Sequence, residues 1–218
     1  MNAYFKGLFK VPPGHYIIFQ GLLAFRREGM LSFIIMDLLD AQNERKASLT
    51  ARRHYYQFYK GQEDLFRTVI PFLWLGLQNG EACLWIVSES VGIEEAIIHF
   101  HREHDLDPYL TNRQLLILPA ERWYLERGRF STDRVLTKFQ RFVAERERLG
   151  FAKCRFVGDA GWFESRDWPK LRAFETKAHQ VLKRLPVAAL CAYPVVRCTL
   201  VQTKDIVESH DSIFATKL

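Results

Sequence analysis

The chain has 218 residues, of which 48% are hydrophobic and 14% aromatic, enough to build one domain with a sizeable core. Its two early apolar stretches, residues 16–25 and 30–39, are both too short for a membrane-spanning helix, and the second contains Asp37. No small-residue cleavage site of a signal peptide follows the first stretch. The sequence therefore predicts a cytoplasmic protein without a membrane segment.

Charge and cysteine content exclude further classes. The formal net charge is +6, but residues 1–53 alone carry eight Lys/Arg against four Asp/Glu, so most of the basic excess lies there. The rest of the chain shows no strongly basic surface, and no direct contact with nucleic acid is expected. Four cysteines without a C-x-x-C pair indicate reduced, mostly buried thiols.

The order of predicted elements indicates an N-terminal extension followed by one regular domain. Residues 1–53 predict short helices or partly disordered chain, and residues 54–218 predict the domain. The predicted strands lie at 55–59, 83–87, 115–118, 154–158 and 187–193. The predicted helices lie at 61–79, 93–104, 131–150 and 167–185, with one more short helix within 205–213. Apolar strands alternating with helices predict an α/β fold, with a mostly parallel sheet of about five or more strands and helices on both faces.

Several motifs of this domain resemble those of the MEDS family (methanogen/methylotroph, DcmR sensory). Residues 54–59 are similar to its opening H-x-x-x-F-Y, and residues 71–85 to its P-F-x-x-x-G-L-x-x-G-E-x-C-L-W block. Residues 155–162 match R-x-x-G-[DE]-x-x-W, while residues 174–175 and 190–193 match [YF]-E and L-C-x-Y. The resemblance implies a RecA/KaiC-like fold that has lost its phosphate loop and senses small molecules such as hydrocarbon derivatives. Such domains often stand beside DNA-binding or kinase modules.

The turn after the first strand argues against nucleotide chemistry. A phosphate loop needs several glycines and a lysine for the terminal phosphates, whereas residues 60–65 read KGQEDL. Glu63 and Asp64 fall at the helix N-terminus, where they would repel a triphosphate. Asp159 does follow its strand like the magnesium-binding acid of such ATPases. Without the loop, neither catalysis nor a cofactor is expected.

Other chemical sites receive little support from the sequence. His99, His101 and His104 lie near a helix end and match no zinc motif, so a solvated helix end is expected and no metal site is predicted. There is no Gly-x-Ser-x-Gly nucleophile motif. Cys191 lies within an apolar strand, where core packing is the first expectation and ligand contact or redox sensing the alternative. A structural role is expected for His54, at the start of its strand.

Ligands of parallel α/β sheets bind beyond the carboxyl ends of the strands. Polar and aromatic residues near those ends, together with the family motifs, give the candidates. The predicted ligand-binding residues are Tyr59, Glu89, Asp159, Trp162, Glu175, Cys191 and Tyr193. Trp162 could cover a pocket or pack against the next helix, Glu89 could cap a helix, and an inward role for Glu175 rests on the family match alone.

These observations favour a non-catalytic sensory domain. It would bind a small, weakly polar ligand in a cleft at the carboxyl ends of the strands and signal to a transcriptional or kinase partner. Two alternatives remain open: a KaiC-like nucleotide-binding module with a non-standard phosphate site, and an interaction scaffold with a vestigial cleft. Self-association into a homo-oligomer also remains open.

Overall fold

The computed structural model describes residues 53–163 and 167–214. Its strands are β1 (Arg53–Tyr59), β2 (Ala82–Val87), β3 (Leu115–Pro119), β4 (Leu125–Glu126), β5 (Arg129–Phe130), β6 (Cys154–Asp159), β7 (Val187–Pro194) and β8 (Ser212–Ile213). Its α-helices are α1 (Gln62–Gln78), α2 (Ile93–Glu103), α3 (Asp107–Thr111), α4 (Ala120–Tyr124), α5 (Thr132–Arg148), α6 (Trp168–Leu182) and α7 (Leu200–Ser209). Short 3₁₀ helices span Ala160–Trp162 and Val195–Arg197.

Six strands form one parallel sheet in the order β3-β2-β6-β7-β1-β8, while β4 and β5 form a separate antiparallel hairpin. The predicted α/β fold with a parallel sheet is confirmed. Because the strands run in the same direction, the carboxyl ends of β1, β2, β6 and β7 lie along one edge of the sheet. The segments that follow these ends are therefore brought together, although they are far apart in sequence.

Both faces of the sheet are covered, which explains why its strands are continuously apolar. On one face, Tyr55, Trp85, Val157 and Leu190 share a core with the buried sides of α1 and α2. On the other face, Phe156 packs against α5, with ring centroids 4.8 Å from Phe139 and 5.3 Å from Phe142. Alternate residues of one strand thus enter two different cores.

The predicted helix boundaries hold where local signals are strong. Ser131 caps α5 by accepting a hydrogen bond from the backbone N–H of Arg134, as its position predicts. After α1, Gly80 adopts a φ of 70°, a left-handed conformation that suits glycine at a helix end. Both signals depend only on residues within one helical turn, so the sequence alone was sufficient to predict these two helix ends.

The predicted short helix within 205–213 is shifted. Helix α7 begins earlier because Thr199 and Gln202 form a capping box, and residues 212–213 instead extend the sheet beside β1. The sequence analysis also missed α3, α4 and the β4–β5 hairpin, which are too short to show a periodic pattern. The predicted extension at 1–53 lies almost wholly outside the described residues.

The helices of the described residues are too short or too polar to cross a membrane. Across 53–163 and 167–214, none of the helices combines the length and the apolar character that a bilayer span requires.

The four cysteines are free thiols, two of them buried and two partly buried, in line with the sequence prediction.

A buried ion pair lies between α1 and the sheet. Arg155 of β6 donates from Nε to the carboxylate of Glu81 and from Nη1 to the carbonyl oxygen of Phe72, at 3.1 Å. Its guanidinium also lies 4.9 Å from the Phe72 ring centroid. Gly76 makes room for it, since a Cβ there would lie 2.5 Å from Arg155 Cδ. The arginine, glycine and glutamate of the family-like motifs therefore form one structural unit.

We expect Glu81→Gln to lower the free energy of unfolding by about 3 kcal/mol, because it leaves the Arg155 charge buried without its counter-charge. Urea denaturation measures this change. Glu208→Gln is the matched control, since that carboxylate and its partner Lys204 are both exposed. Equal stability of Glu81→Gln and wild type would contradict a structural role for the pair.

Candidate functional site

The carboxylate of Asp159 is the centre of a buried network at the carboxyl ends of three strands. Its Oδ1 accepts hydrogen bonds from the Tyr59 hydroxyl at 2.8 Å and from the backbone N–H of Gly161 at 2.9 Å. Its Oδ2 accepts from the Ser88 backbone N–H at 3.2 Å and from the Ser88 hydroxyl. Asp159 is fully buried, and burial together with this carboxylate raises the pKa of Tyr59. The network joins the ends of β1, β2 and β6.

An open cleft of about 790 Å³ lies directly above this network. Its walls combine aromatic and aliphatic side chains with three charged ones. The lining residues are Glu89, Ser90, Glu121, Gly161, Trp162, Phe163, Val196 and Arg197. Ser90 and Gly161 line the cleft and also take part in the network. The Ser90 hydroxyl lies 2.9 Å from that of Ser88, and the backbone N–H of Gly161 donates to Asp159. The network therefore fixes the floor of the cleft.

The charged residues of the cleft differ in their partners. Arg197 donates from Nη1 to the carbonyl oxygen of Gly161 at 2.6 Å, which holds the side chain across the floor. Glu89 and Glu121 have no hydrogen-bond or ion-pair partner among the described residues. The cleft is thus lined by two carboxylates without a described partner and by Trp162, which is only partly buried.

A second polar cluster is buried on the α6 side of the sheet. Glu175 Oε1 accepts a hydrogen bond from the Tyr193 hydroxyl at 2.8 Å. Its Oε2 lies 3.5 Å from His54 Nε2, 3.8 Å from His210 Nε2 and 3.9 Å from Cys191 Sγ. The His54 and His210 rings are in contact, with centroids 4.0 Å apart. We call these five residues the buried cluster.

Burial governs the charges in the buried cluster. It raises the pKa of Glu175 to about 7, although hydrogen bonds from Tyr193 and Cys191 oppose the shift. Burial also raises the pKa of the Cys191 thiol and lowers that of His54, while it lowers the pKa of His210 to about 4. Desolvation disfavours the charged form of each group, so the imidazoles and the thiol are neutral near pH 7.

Tyr124 at the end of α4 lies between the cleft and the buried cluster. Its ring stacks on Trp162, with centroids 4.8 Å apart and an interplanar angle of 16°, and meets the edge of Phe174, the neighbour of Glu175. Its hydroxyl lies over Gly158, where a Cβ would approach it to 2.6 Å. Burial raises the pKa of Tyr124, and Cys191 and Glu175 add to that shift. A rigid aromatic contact therefore links the two sites.

The turn after β1 shows what occupies the position of a phosphate loop. The backbone N–H of Lys60 donates to Asp64 Oδ2 at 3.0 Å, and Glu63 lies 3.1 Å from His99 Nε2. Both carboxylates of the α1 N-terminus thus have partners within the chain. Asp159, the candidate magnesium ligand, is occupied by Tyr59, Ser88 and Gly161. The acids at this turn are therefore engaged by other groups of the chain.

The seven predicted site residues fall into three groups. Glu89 and Trp162 line the cleft, whereas Tyr59 and Asp159 lie beneath it in the network. The other three, Glu175, Cys191 and Tyr193, belong to the buried cluster.

Several residues at these sites were not among the candidates. Ser88, Arg197 and Tyr124 are such residues, and none of them belongs to a motif. His54 was assigned a structural role, although its family-like motif was a usable signal. His210 had none, because its role depends on the packing of α7 against α6.

Comparison with known proteins supports the family relationship. Residues 53–211 match the family model described as MEDS, the methanogen/methylotroph, DcmR sensory domain. Among curated proteins, none matches the chain in sequence. One similar solved structure is the flagellar accessory protein FlaH from Methanocaldococcus jannaschii, with a TM-score of 0.43 and 14% identity, covering 80% of this chain and 74% of that one.

We expect Asp159→Asn to lower the free energy of unfolding by about 3 kcal/mol, because the amide NH₂ cannot accept the hydrogen bonds that one carboxylate oxygen accepts. Tyr59→Phe is the matched variant: it removes a single donor and should cost about 1 kcal/mol. Chemical denaturation measures both. If Asp159→Asn cost no more than Tyr59→Phe, Asp159 would not be the centre of the network.

Proposed function

The chain belongs to the MEDS family of sensory domains, and we propose that it senses a small, weakly polar ligand in the cleft above Asp159 without catalysing a reaction. One observation carries the proposal. The lining of one cleft combines Trp162 with the carboxylates of Glu89 and Glu121, which have no partner among the described residues, on a floor held by buried hydrogen bonds. A preformed site with an apolar wall and a few polar groups is typical of small-molecule binding.

The lining indicates the chemistry of the ligand. Trp162, Phe163 and Val196 provide apolar contact area, so the ligand needs a short apolar body. Glu89 and Glu121 are acceptors, so a hydroxyl or amide N–H on the ligand would donate to them. Such a ligand has few polar groups, in keeping with sensing of hydrocarbon derivatives by the family.

The groups around the cleft support binding rather than catalysis. The one described hydroxyl in the lining, that of Ser90, is hydrogen-bonded to Ser88, and no histidine lines the cleft to act as its base. Asp159 lies beneath the floor with both oxygens occupied by protein donors. The described lining thus holds no hydroxyl paired with a histidine, which supports the proposal of binding without catalysis.

The contact between Trp162 and Tyr124 suggests how ligand binding is transmitted. A ligand that moves the Trp162 ring would move Tyr124, which packs against Phe174 of α6. Helix α6 contacts α7, so a displacement of Phe174 would be passed on to both of these helices. A transcriptional or kinase partner that docks on these helices would read the state of the cleft.

We expect short-chain alcohols and amides with an N–H group to include a compound that raises the melting temperature, and Glu89→Gln to weaken its binding at least tenfold. The loss follows from a hydrogen bond to a charged acceptor, worth about 1.5–3 kcal/mol. Thermal shift identifies the compound, and titration calorimetry measures affinity for wild type, Glu89→Gln and Trp162→Ala.

Glu94→Gln is the matched control, because Glu94 is exposed on the first turn of α2 and does not line the cleft. It should bind like wild type. Unchanged affinity in both Glu89→Gln and Trp162→Ala would place the ligand outside the cleft and contradict the proposal. If wild type binds none of these compounds and Trp162→Ala binds its protein partner like wild type, the interaction scaffold would be favoured.

The nucleotide-binding alternative is tested separately. We expect Mg-ATP at millimolar concentration to leave the melting temperature unchanged, because Asp64 already bonds to the backbone N–H at Lys60 and Asp159 is buried. The double variant Glu63→Gln/Asp64→Asn, which removes both acids, tests whether charge alone excludes the nucleotide. Saturable binding of Mg-ATP to wild type would overturn this expectation.

A further inference from the structure

The buried cluster brings together four side chains that are each able to bind a metal ion. His54, Glu175, Cys191 and His210 offer one ligand atom apiece, and these atoms all lie within 4.8 Å of one another. They come from the start of β1, the middle of α6, the middle of β7 and the residue after α7. Only the tertiary structure brings them together, and the cleft proposed for ligand sensing does not include them.

The spacing of these atoms fits a tetrahedral metal site. Metal–ligand bonds of about 2.0–2.3 Å place the ligand atoms of a tetrahedron about 3.3–3.8 Å apart. His54 Nε2 lies 3.2 Å from Cys191 Sγ and 3.5 Å from Glu175 Oε2. Glu175 Oε2 lies 3.8 Å from His210 Nε2 and 3.9 Å from Cys191 Sγ. Four of the six edges are thus close to the required length before an ion is added.

Outer contacts orient two ligands toward the centre of the cluster. His210 Nδ1 lies 2.7 Å from the carbonyl oxygen of Ile206, which fixes the proton on Nδ1 and leaves the Nε2 lone pair free. Tyr193 holds Glu175 Oε1, which leaves Oε2 facing the histidines. Hydrogen bonds from the far side of a ligand to a carbonyl or hydroxyl are typical of metal-binding residues.

Two ring nitrogens of the cluster, His54 Nδ1 and His210 Nε2, lack a hydrogen-bond partner among the described residues, and the second of them is a proposed ligand atom. His210 Nε2 is buried and has no hydrogen-bond partner among the described residues. A buried acceptor without a donor is unfavourable in a simple hydrogen-bonded core. A metal ion bound at Nε2 would satisfy it.

We propose that His54, Glu175, Cys191 and His210 bind one divalent transition-metal ion with tetrahedral geometry, and that Zn²⁺ is the ion that fits best. Two imidazoles, one thiolate and one carboxylate form the mixed donor set that zinc accepts, while Mg²⁺ and Ca²⁺ require oxygen ligands. The thiolate and the carboxylate together balance the charge of the ion, and binding releases to solvent the thiol proton and the proton of Glu175 where that carboxyl is protonated. With four protein ligands, the ion would connect β1, β7, α6 and the end of α7.

The exposed group His101, Asp105 and Asp107 provides a comparison. Its ligand atoms are also close together, but all three residues are exposed to solvent and none is a thiol. Exposed acidic groups of this kind are common without a bound ion. His101→Ala therefore serves as the control for metal bound at the surface.

The experiment uses the full chain freed of metal with a chelator and titrated with Co²⁺, followed by displacement with Zn²⁺. We expect one ion per chain, an absorption band of thiolate-to-cobalt charge transfer, and a melting temperature raised by Zn²⁺. Cys191→Ser should abolish the band, and His210→Ala should weaken affinity more than about 100-fold. Tyr193→Phe, which frees the outer oxygen of Glu175, should weaken it about 10- to 100-fold.

Cys198→Ser and His101→Ala should bind Co²⁺ like wild type, because neither residue belongs to the cluster. The charge-transfer band of the unsubstituted chain tests thiolate ligation directly, so the proposal stays testable if a cluster variant fails to fold. Binding below one ion per chain, a wild-type complex without the band, or a band that Cys198→Ser abolishes would overturn the proposal. None of these results depends on ligand binding in the cleft.

Discussion

The buried carboxylate of Asp159 is the constraint on which the carboxyl edge of the sheet depends. It accepts hydrogen bonds from β1 through Tyr59, from the end of β2 through Ser88, and from the turn after β6 through Gly161. A buried charge is tolerated only when donors surround it, so these three segments must take up fixed positions together. The floor of the cleft is a consequence of that requirement.

The same network bears on the nucleotide-binding alternative. A phosphate site of the usual kind needs a glycine-rich turn and an accessible acid for magnesium, whereas this chain buries Asp159 and closes the turn after β1 with Asp64. The same edge of the sheet carries a cleft whose carboxylates, Glu89 and Glu121, have no partner among the described residues. The burial of Asp159 and the floor of the cleft thus depend on the same hydrogen bonds.

The cleft and the buried cluster are connected through one aromatic residue, Tyr124. Gly158 leaves room for the Tyr124 hydroxyl, and the Tyr124 ring stacks on Trp162 at the cleft. On the other side of Tyr124 lie Glu175 and Cys191, which add to the rise of its pKa. We propose that the cleft signals through Trp162, Tyr124 and α6. An ion bound in the buried cluster would therefore restrict the motion of α6 at Glu175.

The sequence by itself determined the α/β class, the five longest strands and the four longest helices between them, because hydrophobic periodicity and caps such as Ser131 act over a few residues. It also identified Trp162 and Asp159 as lying beyond a strand end. It could not separate Glu175 and Cys191 from the cleft, nor join His210 to His54, because those relationships depend on which strands are neighbours and how α6 and α7 pack. Contacts between residues distant in the chain leave no local pattern, so only the tertiary structure decided them.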